Sequence, residues 1–209
     1  MDDRRRFAPA TERNREPLLQ VLQRWLPRRG TILEIASGTG EHAIFFGRHF
    51  PGLMFQPSDC SAEALESIEA WRQWTSVPNV LPPCSLDVEQ TGSWGPAFDA
   101  LLCINMLHIA PWSCTAALFQ GAARHLKRGG ALVTYGPYRQ GGQHSAASNA
   151  EFDAALQAQD PSWGVRNLED VQEVAAAVGF VLAEVVRMPA NNLALCFVLP
   201  DCNADHAKT

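Results

Sequence analysis

The sequence contains no strong block of positive charge. Its 22 acidic and 17 basic residues give a formal net charge of -5, and its one conspicuous basic run, Arg4-Arg5-Arg6, is offset by Asp2 and Asp3. Proteins that bind nucleic acids usually concentrate Lys and Arg on one face. We therefore expect no nucleic-acid partner.

Long apolar runs are also absent. The longest, residues 100–107, is interrupted by Asn105 and is far shorter than the roughly 20 residues that a membrane-spanning helix needs. The first residues lack the apolar segment of a signal peptide. These absences predict no membrane partner and a cytoplasmic location.

The six cysteines form no C-x-x-C pair and show none of the short repeated spacings of a zinc site. Cys84, Cys103 and Cys196 lie within or beside apolar runs, where a reduced thiol behaves as a small hydrophobic side chain. The cysteine pattern thus predicts reduced core thiols and no metal site.

With 209 residues and a 46% hydrophobic composition, the chain can bury one sizeable core, so a single domain is expected. We assign residues 1–200 to this domain, with an N-terminal arm over 1–13 and a helix over 14–27. Residues 201–209 are predicted to be a disordered tail. Oligomeric state cannot be inferred from these features.

Apolar runs and helical periodicities alternate along the chain. Within the first predicted helix, Asn14 is interpreted as a cap and Pro17 as a first-turn residue, and Ser148 to Glu151 has the spacing of a capping box. The predicted strands are 31–36, 54–59, 80–88, 98–107, 131–135, 180–188 and 193–199; the predicted helices are 15–26, 41–50, 61–75, 111–128, 148–160 and 168–178.

This alternation predicts an α/β fold with a doubly wound, mostly parallel seven-stranded sheet. The last two strands are separated by four residues, so they should form a C-terminal antiparallel hairpin. Pro82 and Pro83 cannot donate to a hydrogen-bond ladder, which puts the third strand at an edge. The nearly all-apolar fourth strand should lie in the middle.

Polar and glycine residues collect at the predicted strand ends. The segment Glu34-Ile35-Ala36-Ser37-Gly38-Thr39-Gly40 forms the first strand-to-helix turn, where backbone approaches ligands in open α/β sheets. Asp59 ends the second strand, Asp87 and Val88 the third, and Asn105 follows the apolar part of the fourth. Because these ends share one edge of the sheet, one ligand crevice is predicted there.

The turn resembles the cofactor motif of class I methyltransferases, with Ala36 where the first glycine usually stands. The resemblance implies S-adenosylmethionine as cofactor. Glu34 would then orient the ammonium group, Gly38 and Gly40 would let the chain pass close to the ligand, and Asp59 would accept the ribose hydroxyls. Asp87 would accept from the adenine amino group, Val88 would pack on the ring, and Ser37, Thr39 and Asn105 would line the crevice.

Two rival functions stay open. Gly38-x-Gly40-x-x-Ala43 also fits the dinucleotide fingerprint, and Asp59 has a suitable offset, so an NAD(P)-dependent oxidoreductase is one alternative. Glu34 inside the first strand, Asp87 and the terminal hairpin argue against it. A catalytically silent cofactor-binding protein is the other, since binding and catalytic residues are separable.

Longer strings carry a second resemblance, over roughly residues 9–199. They are residues 10–17, 34–42, 56–59, 86–88, 105–112, 135–138, 148–149 and 188–193. In these the chain is similar to the methyltransferase-like protein 26 family, whose substrate is unassigned. The resemblance implies the class I fold and the cofactor, and leaves the methyl acceptor unknown.

Several polar residues in these strings are not required by the fold. We interpret His108 and Tyr138 as candidate proton acceptors, His108 because an unperturbed pKa of about 6.5 suits transfer near neutrality. Candidate contacts to a small polar acceptor are Arg13, Asn14, Ser148, Asn149, Asn191 and Asn192. Capping, turn geometry or packing would explain each of these residues equally well.

Overall fold

The computed structural model describes residues 3–90, 92 and 94–201, so the predicted tail beyond Asp201 lies outside the described residues. The strands are β1 (Gly30–Ile35), β2 (Leu53–Asp59), β3 (Cys84–Ser85), β4 (Phe98–Ile104), β5 (Leu126–Gly136), β6 (Tyr138–Gln140), β7 (Gln143–His144), β8 (Arg166–Asn167), β9 (Val181–Met188) and β10 (Asn192–Val198). The α-helices are α1 (Pro9–Trp25), α2 (Glu41–His49), α3 (Ala62–Thr75), α4 (Trp112–His125), α5 (Ala147–Gln159) and α6 (Leu168–Ala177).

Seven strands form the main sheet in the order β3-β2-β1-β4-β5-β10-β9. The first five are parallel to their neighbours, and β10 runs antiparallel to both β5 and β9. The predicted doubly wound sheet with a terminal hairpin is therefore confirmed. β4 lies in the middle and β3 at an edge, as its prolines predict.

The core lies on both faces of this sheet. Leu118 of α4 and Val171 of α6 are buried in the cluster on one face, while Leu18, Leu22 and Phe46 are buried in the cluster on the other. Fully burying a large apolar side chain contributes roughly 1.5–3 kcal/mol. Packing on two faces explains why β4 is almost continuously apolar.

Helix α1 begins at Pro9, five residues before the predicted start. Proline suits a first helical position because its missing N–H would have no helical partner there. Asn14 is consequently a buried helix-interior residue rather than a cap, and Pro17 lies well inside the helix, where it cannot donate to the carbonyl of Arg13. The predicted arm is thus shorter than 1–13.

Other element boundaries also differ from the predictions. Helix α4 ends at His125, and Leu126 already pairs with Phe98 in β5, so the predicted extension to residue 128 is wrong. Helix α5 begins at Ala147, and its N-cap residue, Ala146, makes no side-chain hydrogen bond, so Ser148 forms no capping box. The three-stranded sheet β7-β6-β8 was not predicted.

Candidate active site

A cleft of about 450 Å³ lies at the carboxyl ends of the parallel strands. It collects residues from the turn after β1, from the ends of β2 and β4, and from the segment after β3. The predicted residues that line it are Glu34, Ala36, Ser37, Gly38, Thr39, Asp59, Asp87, Val88 and Asn105. Gly40 does not line it; this residue is the N-cap of α2.

The turn after β1 has an unusual backbone conformation. Ala36, Gly38 and Gly40 all have positive φ, at 54°, 58° and 89°. A Cβ added at Gly40 would lie 2.8 Å from the Cα of Ile68, whereas one added at Gly38 would meet nothing within 4 Å. Gly40 is thus required by packing against α3, while Gly38 keeps the backbone open toward the cleft.

Asp59 holds this turn in place. Its Oδ2 accepts a hydrogen bond from the Gly38 N–H at 2.9 Å, and its Oδ1 accepts one from the Ser61 N–H, also at 2.9 Å. Each carboxylate oxygen has a further lone pair to offer. Asp87 is half-buried on the same cleft, with Oδ1 accepting from the Glu89 N–H at 3.0 Å.

Glu34 is the most unusual group of the cleft. Its side chain is only 1% exposed, and neither carboxylate oxygen has a hydrogen-bond partner among the described residues. Burial raises the pKa of Glu34 to about 8; the nearby Ser37 opposes the rise, and the charge of Asp59 adds to it. A cationic group beside this carboxylate would be strongly favoured, because it would supply the missing partner.

Acidic groups dominate the polar lining. Glu34, Asp59 and Asp87 line the cleft together with apolar side chains such as Leu86 and Met106, and the described residues that line it include no Lys or Arg. His42 also lines it, but burial and the charge of Arg15 lower the pKa of His42 to about 3, so this imidazole is neutral. The electrostatic character of the cleft therefore suits a positively charged ligand.

The N-terminal segment, residues 3–8, continues into one wall of the cleft, whose lining residues the sequence analysis does not name. Ala8, together with Ala10 and Thr11 of α1, lines it. Glu41 Oε2 accepts from the Ala8 N–H at 2.7 Å and from Thr39 Oγ1 at 2.9 Å. The one available signal was the family-like string over residues 10–17, which extends into this wall.

A second contact joins the same two parts of the chain. Ser67 Oγ accepts from the Arg6 N–H and donates to the Thr39 carbonyl, each at 2.8 Å. Trp71 Nε1 also donates to the Arg6 carbonyl. The N-terminal segment and the turn after β1 therefore share hydrogen-bond partners.

The two candidate proton acceptors do not line the cleft. Tyr138 is 2% exposed, and its hydroxyl is hydrogen-bonded to Thr134 Oγ1 at 2.8 Å within the core. His108 is 6% exposed and packs edge-on against Phe152. Burial, helped by the charge of Arg166, lowers the pKa of His108 to about 4. Neither position brings a proton acceptor to a ligand in the cleft.

Three of the candidate acceptor contacts line a second, smaller cavity of about 90 Å³, here called the annex. Arg13, Asn14 and Asn192 line it with Tyr135 and the main-chain turn at Pro189 and Ala190. Ala10 and Asn105 line both the annex and the main cleft. The two cavities are therefore neighbours.

The remaining candidates lie elsewhere. Ser148 is exposed on α5, whereas Asn149 is buried and its Nδ2 donates to the Asn191 carbonyl at 3.0 Å. Asn191 has a positive φ of 57° in the short 3₁₀ turn between β9 and β10. Asn149 and Asn191 thus join α5 to the hairpin turn rather than line either cavity.

Within the described part of the chain, no group of three His, Cys, Asp or Glu side chains is placed to hold a metal ion. Five cysteines there are free thiols, of which Cys103, Cys114 and Cys196 are buried. No helix in the same part is long and apolar enough to span a membrane.

Solved structures share this architecture. An O-methyltransferase family protein from Burkholderia thailandensis is 17% identical, with a TM-score of 0.77 over 90% of this chain and 56% of its own. CalO1, a methyltransferase in calicheamicin biosynthesis solved with S-adenosylhomocysteine, is 19% identical, with a TM-score of 0.70 over 90% of this chain and 54% of its own. A candidate methyltransferase from Bacillus halodurans C-125 is 16% identical, with a TM-score of 0.71 over 90% of this chain and 99% of its own.

These similarities identify the fold as that of class I methyltransferases. The chain spans little more than half the length of the first two of these proteins. One family model, described as a protein of unknown function (DUF938), matches residues 5–198, and the chain therefore belongs to that family.

Proposed function

We propose that this protein is an S-adenosylmethionine-dependent methyltransferase acting on a small polar acceptor. The observation that carries the proposal is the buried Glu34 carboxyl group, which has no hydrogen-bond partner among the described residues and lines the same cleft as Asp59, Asp87 and the turn at Gly38. The resemblance to the methyltransferase-like protein 26 family belongs to this proposal, as do a cytoplasmic location and the absence of nucleic-acid and membrane partners.

The residues of the cleft fit the proposed cofactor. S-adenosylmethionine is cationic at its ammonium and sulfonium groups, and the cleft offers carboxylates with no competing Lys or Arg. Glu34 would hold the ammonium group, Asp59 the ribose hydroxyls and Asp87 the adenine amino group, with Val88 against the ring. Gly38 would let the backbone approach without a side chain in the way.

When bound, the cofactor supplies a methyl group already activated by its sulfonium. The protein then has to orient the acceptor toward that methyl group and exclude water. The apolar residues Leu86, Ile104 and Met106 line the cleft and would exclude water from it once the cofactor is bound. Because His108 and Tyr138 do not line it, the proposal assigns no general base, and the acceptor would bind with its nucleophile already deprotonated.

The rival oxidoreductase function fits the cleft less well. A dinucleotide places a doubly charged pyrophosphate at the turn after the first strand, here beside Glu34 and Asp59. Like charges in a partly buried site repel strongly. The second rival, a silent cofactor-binding protein, differs from the proposal only in lacking turnover.

Thermal denaturation with S-adenosylmethionine, S-adenosylhomocysteine and NAD side by side tests the binding step. A ligand at 100 times its Kd stabilises the native state by about 2.7 kcal/mol, so we expect a clear rise in Tm with the first two. The matched control is Asp59→Asn, which should lose most of the rise. Stabilisation by NAD alone would overturn the proposal.

Turnover is tested separately. Methyl-labelled cofactor is incubated with a metabolite extract and with a protein extract, using Asp59→Asn as the inactive control. We expect label in a small-molecule fraction. Tight cofactor binding with no labelled product in either extract would favour the silent binding protein instead.

A further inference from the structure

The annex differs from the main cleft in its charge. Among the described residues, the cleft is lined by Glu34, Asp59 and Asp87 and by no Lys or Arg. In the same part of the chain, the annex is lined by Arg13 and by no Asp or Glu. The two neighbouring cavities therefore favour opposite charges, and their shared residues, Ala10 and Asn105, lie between them.

Tyr135 gives the annex a hydrogen-bond donor. Its hydroxyl oxygen accepts from Asn192 Nδ2 at 3.0 Å, and the Asn14 side chain lies close enough to lower its pKa. Burial raises the pKa of Tyr135 above its usual value, against the opposing influence of these two amides and of Arg13. The phenol therefore keeps its proton, and this O–H donates no hydrogen bond to a described residue.

The orientation of Asn14 is set by a residue behind it. His42 is neutral and its Nε2 lies 2.7 Å from Asn14 Oδ1. If that nitrogen carries the proton, it donates to the Asn14 oxygen, which orients the Asn14 amide N–H groups away from His42. The tyrosine oxygen accepts from Asn192, and its O–H is left to donate into the annex.

Arg13 adds the charge. It lies exposed at the rim, and none of the ion pairs between described residues includes it. It is nevertheless near enough to Tyr135 for its charge to favour the phenolate. A guanidinium and a phenol O–H beside each other form a donor set that matches an oxyanion.

We infer that the annex binds a carboxylate of the methyl acceptor, so that the acceptor spans from Arg13 and Tyr135 to the nucleophile near Asn105. The inference rests on the proposed function, since it takes the main cleft as the cofactor site. A carboxylate suits the small volume of about 90 Å³ and the single cation. A phosphate, which carries more charge and is bulkier, is the competing oxyanion.

The test is a titration of the protein saturated with S-adenosylhomocysteine, followed in ¹H–¹⁵N spectra, with acetate, inorganic phosphate and neutral acetamide as separate probes. We expect acetate to shift the amides of Ala10, Ala190 and Asn192. Acetamide, which has the same shape without the charge, should leave them unchanged. A weaker response to phosphate than to acetate identifies the carboxylate.

Two variants give the test a matched design. Tyr135→Phe and Arg13→Gln should each weaken acetate binding by roughly tenfold, as expected for a lost hydrogen bond to a charged group. Tyr138→Phe removes the hydroxyl of the chain's only other tyrosine, and Arg48→Gln removes an exposed arginine outside both cavities. These two controls should bind acetate as the wild type does, and spectra of all four report whether each is folded.

The outcomes separate this inference from the proposed function. Equal shifts with acetate and acetamide, or no shifts at the annex amides, would overturn the inference while leaving S-adenosylhomocysteine binding intact. Preferential binding of phosphate would overturn the choice of a carboxylate. Failure of S-adenosylhomocysteine to bind, with acetate still shifting the annex in its absence, would refute the proposed function and leave an oxyanion site.

Discussion

Replacing Glu34 by glutamine tests the central electrostatic feature of the cleft. Glutamine keeps the size of the side chain but cannot ionise. In the free protein the carboxylate has no hydrogen-bond partner among the described residues and is almost fully buried. Burying Glu34 should therefore reduce the stability of the ligand-free protein at any pH where the side chain ionises in the unfolded chain.

The size and pH range of this effect follow from the pKa. Burial raises the pKa of Glu34 from 4.5 to about 8. Below the lower value the side chain is protonated in the folded and unfolded states alike. Between pH 4.5 and about 8, the unfolded chain releases a proton that the folded chain retains, so the free energy of unfolding falls as the pH rises. The full loss is about 5 kcal/mol at most, at 1.36 kcal/mol per pKa unit.

Urea denaturation of the wild type and Glu34→Gln, without ligand, at several pH values between about 5 and 8 measures this loss. We expect similar free energies of unfolding at the acid end and a growing advantage for the variant toward pH 8. S-adenosylhomocysteine should reduce that advantage, because its ammonium group stabilises the Glu34 carboxylate. Parallel curves for the two proteins across the range would refute the reasoning.

Further predictions concern the turn and the core. Gly40→Ala should destabilise the protein by about 2 kcal/mol or more in urea denaturation, because the new Cβ would meet Ile68. Gly38→Ala should lower the stability by only about 1 kcal/mol, but calorimetric titration should show a loss of cofactor affinity. Asp59→Asn should weaken binding of S-adenosylhomocysteine at least about tenfold through the lost charged acceptor; unchanged affinity would contradict its role. Tyr138→Phe should lower the stability by about 1 kcal/mol and leave the affinity for S-adenosylhomocysteine unchanged. A loss of turnover without a loss of this affinity would instead support Tyr138 as a proton acceptor.

The sheet could be predicted because each strand has a strong local signal. The prolines beside the third strand cannot take part in a hydrogen-bond ladder, and the apolar residues of the fourth strand favour burial on both faces of a sheet. Both effects act directly on the residues that carry the signal. The cleft residues could be predicted for the same reason. Asp59 and Asn105 each stand where an apolar strand stops, and the ends of parallel strands meet at one edge of the sheet.

The start of α1 could not be predicted in this way. Asn14 and Pro17 together carry a valid local signal for a helix start, and local signals were all that the sequence offered. In the structure, Asn14 instead meets His42, a residue 28 positions later in the chain. Tertiary contacts of this kind override a capping preference of about 1 kcal/mol.

Side-chain direction explains the misplaced candidate bases. A residue just beyond a strand is near the ligand edge, but the sequence does not say whether its side chain turns toward the cleft or the core. Tyr138 turns inward because Thr134, one strand earlier, satisfies its hydroxyl. The strands β6 to β8 were missed because segments of two or three residues carry no measurable periodicity.

The shared hydrogen-bond partners of the N-terminal segment and the cofactor turn have a kinetic consequence. Glu41 and Ser67 each bond to both Thr39 and the backbone of the segment, so detaching residues 6–8 leaves Thr39 with less support. For a ligand that enters past Ala8, detachment of these residues would open the path into the cleft. If residues 6–8 are held in place, the association and dissociation rates of such a ligand should therefore both fall, while its affinity changes far less.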